Sequence, residues 1–306
     1  MPMIYYFAYP SPSTGGDFVN IEHVTTLARC GIAARMLYPG PRGQHAGLPR
    51  DAQPMSDTRL GPEDYFVIPE NDTALIEHAR GLPCKIVIHN QNTFYFLQAI
   101  GSLQALDPAK FNTVICPSRG SAAMLTEAGY LASVSVVQPC LPEYFAPAAK
   151  RLSIAYAPAK LPVESAAVKT AFASMFPQHA AIEWHPIAKM SRRQVAQLLA
   201  PSAIYAAFSN LESLSLATLE AMKSGCIVVG DHGGGGLDYA TPENGLLLRA
   251  DEIIDFSRKL AQAVDLFHRA GQGTALAAEA MRTASAFSAQ RFEQELTDFW
   301  SARVKR

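Results

Sequence analysis

A chain of 306 residues, 49% hydrophobic and 17% charged with a formal net charge of −1, can bury two modest cores and has no electrostatic bias toward nucleic acid. It has no long basic run, no uninterrupted apolar stretch long enough to span a bilayer, and no charged-then-apolar leader, so neither a nucleic-acid partner, a transmembrane segment nor a secretory signal is expected. The five cysteines (Cys30, Cys84, Cys116, Cys140, Cys226) are widely spaced beside apolar runs and read as reduced structural thiols of a cytoplasmic protein, and the eight histidines show no metal-binding spacing.

Short β-rich apolar runs alternate with helical stretches, the pattern of parallel sheets covered by helices. In chain order the first half predicts strands at Met3–Ala8, Ala33–Leu37, Tyr65–Ile68, Lys85–His89, Thr113–Cys116 and Ser133–Val137, with helices at Asp17–Cys30, Thr73–Arg80, Phe94–Gln104 and Arg119–Ala128. Residues 39–62, rich in Pro, Gly and Arg, read as one long loop. A polar break at Pro147–Arg151 precedes a second series. Its strands are expected at Leu152–Tyr156, Ala181–Trp184, Ala203–Ala206, Ile227–Val229 and Gly245–Leu248. Its helices are expected at Val163–Met175, Ser191–Leu199, Leu214–Ser224, Asp251–Ala270 and Gly273–Thr283, and a last helix, Ser288–Val304, closes the chain. The expected domains are therefore 1–150 and 151–306, two Rossmann-like sheets whose strand C-termini face one crevice. The final helix is a candidate to pack back on the N-terminal domain.

The segment from Ser209 to Gly230 carries the strongest chemical signal. It reads as a turn, a helix, a glycine stop at Gly225 and a buried strand, with Glu212 before the helix and Glu220 on it. Amide groups at a helix start favour phosphate oxygens. Side chains lean toward the helix N-terminus, so Glu220 tilts toward the same end as Glu212. Carboxylates accept hydrogen bonds from sugar hydroxyls. The two glutamates can thus grip the ends of one sugar nucleotide. The bland alternative is a pair of solvated charges flanking an amphipathic helix.

This Glu-x7-Glu block, with Glu220-Ala221-Met222 and the tail Ser224-Gly225-Cys226-Ile227-Val228-Val229, resembles retaining glycosyltransferases of family 4, within the GT-B fold. Gly233-Gly234-Gly235-Gly236-Leu237-Asp238 and Glu243-Asn244-Gly245-Leu246-Leu247 extend the resemblance, and Ser13-Thr14-Gly15-Gly16-Asp17 is similar to the family's Gly-Gly turn after the first strand. The resemblance implies that Glu212 approaches the transferred sugar and Glu220 the ribose. Ser213, Leu214 and Ser215 would offer helix-start amides to the diphosphate, or their side chains would simply cap the helix. Gly15 and Gly16 would line the crevice or form an ordinary turn with positive φ. Gly234 and Gly235 would approach the donor sugar, or belong to a flexible loop, and Asp238 would touch a sugar hydroxyl. Lys160 is the expected phosphate cation; relatives place an Arg in register with it, which this chain lacks. His89, at a strand end, is a catalytic candidate near the sugars or a structural histidine, and Asn90, Gln91 and Asn92 are candidate sugar contacts.

The implied reaction is metal-independent transfer of a sugar, with retention, from a nucleoside diphosphate sugar to an acceptor hydroxyl of a polysaccharide, lipid-linked glycan or other glycoconjugate. No cofactor is expected beyond the donor substrate. The location would be cytoplasmic, with peripheral contact at the inner membrane face allowed by analogy. Two other readings stand: a sugar-nucleotide epimerase or phosphorylase of the same fold, and a non-catalytic sugar-nucleotide- or glycan-binding subunit, which the absent Arg and the compact second half favour.

Overall fold

Two all-parallel sheets organise the chain in this computed structural model, which describes residues 2–12, 14–102, 105–130, 133–269 and 272–304. Ser13 of the predicted Gly-Gly turn, and Gln104 and Ala270 at the ends of predicted helices, lie outside the described residues.

The first sheet comprises β1 (Ile4–Phe7), β2 (Ala34–Tyr38), β3 (Gln53–Pro54), β4 (Tyr65–Pro69), β5 (Lys85–His89), β6 (Thr113–Cys116) and β7 (Ser133–Val136), ordered β3-β2-β1-β4-β5-β6-β7. Its helices are α1 (Gly15–Arg29), α2 (Thr73–Arg80), α3 (Thr93–Ile100) and α4 (Arg119–Glu127). The expected long loop holds β3 and a 3-10 turn at Met55–Asp57, too short to leave a periodic signal. The second sheet comprises β8 (Arg151–Tyr156), β9 (Glu183–Pro186), β10 (Ser202–Ser209), β11 (Ile227–His232) and β12 (Leu246–Leu247), ordered β12-β11-β10-β8-β9, with α5 (Pro162–Met175), α6 (Arg192–Leu199), α7 (Leu216–Lys223), α8 (Ile253–His268) and α9 (Gln272–Ser285). The final helix is α10 (Ala289–Val304).

The second core follows from strand periodicity. Successive side chains of β10 alternate between faces, so Tyr205 and Ala207 enter one buried cluster while Ile204, Ala206 and Phe208 enter the other. All of β10 is buried, as a central strand covered on both faces requires. Gly230 of β11 sits at φ +121°, and an added Cβ would lie 2.4 Å from both the Ala207 carbonyl oxygen and Phe256. Glycine there lets Phe256 stack on Phe208 with ring centroids 4.8 Å apart. Gly225 at φ +75° ends α7, as its place in the sequence predicts.

The chain divides into Met1–Pro139 with Gln290–Arg306, and Cys140–Ala289. The division precedes residue 150 because Leu141 and Phe145 already belong to the second core, and Lys150 Nζ donates to the carbonyls of Leu199, Ser202 and Ser224. In the first unit Trp300 of α10 is fully buried and donates through Nε1 to the Tyr6 hydroxyl at 3.2 Å. Among the cysteines, Cys84, Cys116 and Cys226 are buried, whereas Cys30 at the end of α1 is exposed. No helix among the described residues is long and apolar enough to cross a membrane.

Candidate functional site

Strand order decides where the site lies. In the second sheet β8 and β10 are neighbours but not consecutive, and at such a reversal the loops leaving the strand C-termini part to form a crevice. The loop after β8 carries Lys160 and the loop after β10 carries Glu212, and Lys160 Nζ donates to Glu212 Oε1. Leu211 adopts the left-handed φ of +50°, and the Glu212 amide donates to the Gly233 carbonyl at 2.8 Å. Gly233, at φ +65°, has no room for a side chain beside Asn210 and the Glu212 methylenes. The Glu212 side chain is 19% exposed and that of Lys160 42%. Burial pushes the Glu212 carboxyl above its ordinary value and Lys160 opposes that shift.

Helix α7 begins at Leu216, two positions after its expected start at Leu214. The delay has a packing cause: Leu214 enters the core, and the Ser215 hydroxyl is shared with Ser209 Oγ at 3.0 Å and Thr218 Oγ1 at 2.9 Å instead of capping an amide. Ser213 and Ser215 are both buried, so what this turn can offer a ligand is main chain, not hydroxyl. Gly235 lies directly over it: a Cβ there would come within 2.8 Å of the Ser215 nitrogen and 2.9 Å of the Leu214 nitrogen. The glycine run is pinned rather than loose. Asp231 Oδ1 accepts from the Gly233 amide at 2.7 Å, and His232 Nδ1 accepts from the amides of Gly234 at 3.2 Å and Gly236 at 3.1 Å. Gly234 has φ +92°, and Asp238, half-buried, closes the short 3-10 turn Gly235–Asp238. Asp231 and His232 were not singled out from the sequence; carboxylate and imidazole acceptors immediately before four glycines were the available signal.

Glu220, 7% exposed, projects from α7 to Arg192, the first residue of α6. Arg192 Nε donates to Glu220 Oε1 at 3.0 Å and Nη2 donates to the same oxygen. Burial raises the Glu220 carboxyl and the guanidinium counteracts it. The two glutamates therefore have different immediate cations, yet both of their charges bear on the buried Tyr205 hydroxyl, which burial above all holds well above its ordinary value. No local spacing points to Arg192, which lies more than thirty positions from Lys160 and meets Glu220 only through the fold.

In the first unit Gly15 and Gly16 are the opening residues of α1, not a turn before it, and neither has positive φ. Thr14 caps them through a capping box with Asp17. Gly16 packs on Gln91, whose Nε2 donates to the Gly16 carbonyl at 3.1 Å. His89 ends β5 as expected, but its ring is only 2% exposed. Its Nδ1 donates to Asn20 Oδ1 at 2.6 Å, its ring lies 4.7 Å from that of His23, and burial lowers its pKa to about 3, so the imidazole is neutral at physiological pH. Asn90 is fully buried and Asn92 caps α3. Glu70, which sequence reading passed over, follows β4 at the reversal in this sheet. It is buried, accepts from the Asn92 amide at 2.8 Å, and has its pKa raised by burial to about 7. Thus Gly15, Gly16, His89, Asn90, Gln91 and Asn92 lie in the first unit, and the remaining candidates in the second. Among the described residues no group of three or more His, Cys, Asp or Glu side chains is placed to hold a metal ion.

No family model matches the chain. It is 29% identical over 305 residues to an alpha-1,6-glucosyltransferase of Actinobacillus pleuropneumoniae serotype 7 (strain AP76), covering 96% of this chain and 92% of that protein. Among solved structures, Anabaena HepE in complex with UDP aligns with a TM-score of 0.72 at 14% identity, over 99% of this chain and 100% of that one. A glycosyltransferase from Rickettsia africae aligns with a TM-score of 0.68 at 12% identity, over 100% of this chain and 99% of that one. These structures share the architecture of two Rossmann-like parallel-sheet units, the GT-B fold.

Proposed function

We propose that this chain is a glycosyltransferase that moves a sugar from a nucleoside diphosphate sugar to an acceptor hydroxyl, with retention of anomeric configuration and without a required metal, in the manner of family 4. The observation that carries the reading is the Lys160–Glu212 pair across the β8/β10 reversal. It puts a cation and a carboxylate where this topology takes ligands, with Glu220 on the adjoining helix. The near full-length similarity to a glucosyltransferase supports a hexosyl donor, and the relative HepE, solved with UDP and with UDP-glucose, makes UDP-glucose the first donor to try.

In this reading the chemical problem is the charge that builds on the departing diphosphate. Lys160 and the main-chain amides around Ser213–Ser215, held by Gly235, are fixed dipoles and charge that need little reorganisation as the bond breaks. Once the donor phosphate competes for Lys160, Glu212 turns to the sugar hydroxyls. Glu220 accepts from the ribose. The acceptor proton passes to the leaving phosphate oxygen, so no strong protein base is needed. His89, buried and neutral, serves to hold Asn20 and the start of α1 rather than to shuttle protons. A polysaccharide, lipid-linked glycan or glycoconjugate acceptor, met in the cytoplasm or at the inner membrane face, completes the reading.

The test is to incubate the purified chain with UDP-glucose and a glucoside acceptor in EDTA, and to follow UDP release and the anomeric proton of the product by NMR. Acceptor-dependent UDP release giving an α-linked product supports the proposal. An inverted product, strict metal dependence, or sugar-nucleotide isomerisation without acceptor overturns the corresponding part of it.

A further inference from the structure

Glu220 is held asymmetrically. Arg192 donates through both Nε and Nη2 to Oε1. The Glu220 side chain keeps 9% of its surface exposed, so Arg192 does not seal it. The guanidinium is itself fixed. Ser191 and Gln194 form a capping box around the start of α6, and the Arg192 guanidinium carbon lies 5.8 Å from the centre of the Phe145 ring. The next residue faces elsewhere, with Arg193 over Tyr144 at 4.7 Å.

We infer that Arg192 is a positioning residue for ligand binding: it occupies one oxygen of Glu220 and thereby presents the other, ionised, to the vicinal diol of the nucleotide ribose. The inference rests on the donor reading proposed above. A carboxylate on a nearly buried helix face loses solvation, and a neutral acid is a poorer acceptor for two hydroxyls than a carboxylate. Arg192 supplies the compensating charge without consuming the second oxygen. Among the described residues the charged or titratable groups bearing on Glu220 are Arg192 from α6 and the Tyr205 hydroxyl from β10, and Tyr205 stays protonated because burial keeps it high. Arg192 therefore favours the ionised form of Glu220 against the upward push of burial, and its removal moves Glu220 further toward the neutral acid.

The test is calorimetric titration of the full chain with UDP at a series of pH values between about pH 6 and about pH 9. Arg192→Met is expected to weaken UDP roughly ten- to a hundredfold at the acidic end, the equivalent of one charge-assisted hydrogen bond, with recovery as pH rises and Glu220 ionises. Arg192→Lys should restore part of the affinity. In a Glu220→Gln background, where the carboxylate is already gone, Arg192→Met should add less than about threefold, because the two act as one unit. A loss that is the same at every pH, or that adds fully to that of Glu220→Gln, overturns the inference. If the unaltered chain binds no nucleoside diphosphate at any pH, the donor reading fails instead. Should Arg192→Met not fold, Arg192→Lys and Glu220→Gln measured across the same pH range still decide the question.

Discussion

Lys160→Ala separates a catalytic role for this lysine from a structural one, because the two predict very different magnitudes. Two unit charges about 4 Å apart attract by roughly 4 kcal/mol at an effective dielectric constant of about 20. The Lys160 side chain is 42% exposed, so solvent screening brings its contribution to stability down to about 1 kcal/mol or less. Removing a fixed positive group from a developing oxyanion costs more, about 2.7–4 kcal/mol, or roughly a hundred- to a thousandfold in rate. The variant should therefore lose kcat for transfer by that factor while its thermal midpoint falls by only a few degrees. Lys160→Arg should recover part of the rate, since charge is kept while geometry changes. The loss should ease somewhat as pH rises, because without its lysine Glu212 is pushed further up by burial and needs a higher pH to ionise. The assay is initial-rate UDP release at saturating donor, with thermal unfolding of the same samples. A rate within about tenfold of the unaltered chain would remove Lys160 from the oxyanion-stabilising role and leave it as the counter-ion of Glu212.

Gly230→Ala should cost about 3 kcal/mol or more in urea unfolding, because its Cβ would meet Ala207 and Phe256 at 2.4 Å on a backbone with φ +121°; an unchanged urea midpoint would contradict the packing described for β10 and β11. Lys150→Met should cost about 3 kcal/mol by thermal unfolding, since it takes the ammonium donor from three carbonyls at 3.2, 2.9 and 2.6 Å and leaves those of Leu199 and Ser202 with the weak Cys226 thiol; a variant as stable as the parent would show that the carbonyls find other donors. His89, with its pKa lowered by burial from 6.5 to about 3, makes the unfolded chain bind more protons between those values. Stability should thus fall as the pH drops below about 6.5, by up to about 1.4 kcal/mol per pH unit, and the slope should flatten in His89→Asn; equal slopes would mean that the ring is already protonated when folded.

Much of this architecture was legible in residue order. The apolar runs at Lys85–His89, Thr113–Cys116 and Ile227–Val229 could only be buried strands, and Gly225 marked the end of α7, because strand burial and helix termination depend on a few neighbouring residues. Glu212 and Glu220 stood out for the same reason: their spacing relative to one helix is a local property. The late start of α7 was not local, since it needed Leu214 to find the core and Ser215 to find Ser209 and Thr218. Gly15 and Gly16 read as a turn because glycine is permissive, and became helix because Thr14 and Asp17 capped them and Gln91 closed over Gly16.

The pairings that give the site its electrostatics belonged to tertiary structure alone. Which cation meets which carboxylate depends on strand order: Lys160 reaches Glu212 only because β8 lies beside β10, and Arg192 reaches Glu220 only because α6 delivers it to α7. The neutrality of His89 likewise follows from what surrounds it, since an imidazole that ends a strand is charged or uncharged according to the water it keeps, and this one keeps almost none. Composition and spacing determined that the chain would make two parallel sheets and an acidic pair beside a helix. Desolvation and long-range pairing, which no window of sequence contains, decided what state those side chains occupy and which cation each carboxylate meets.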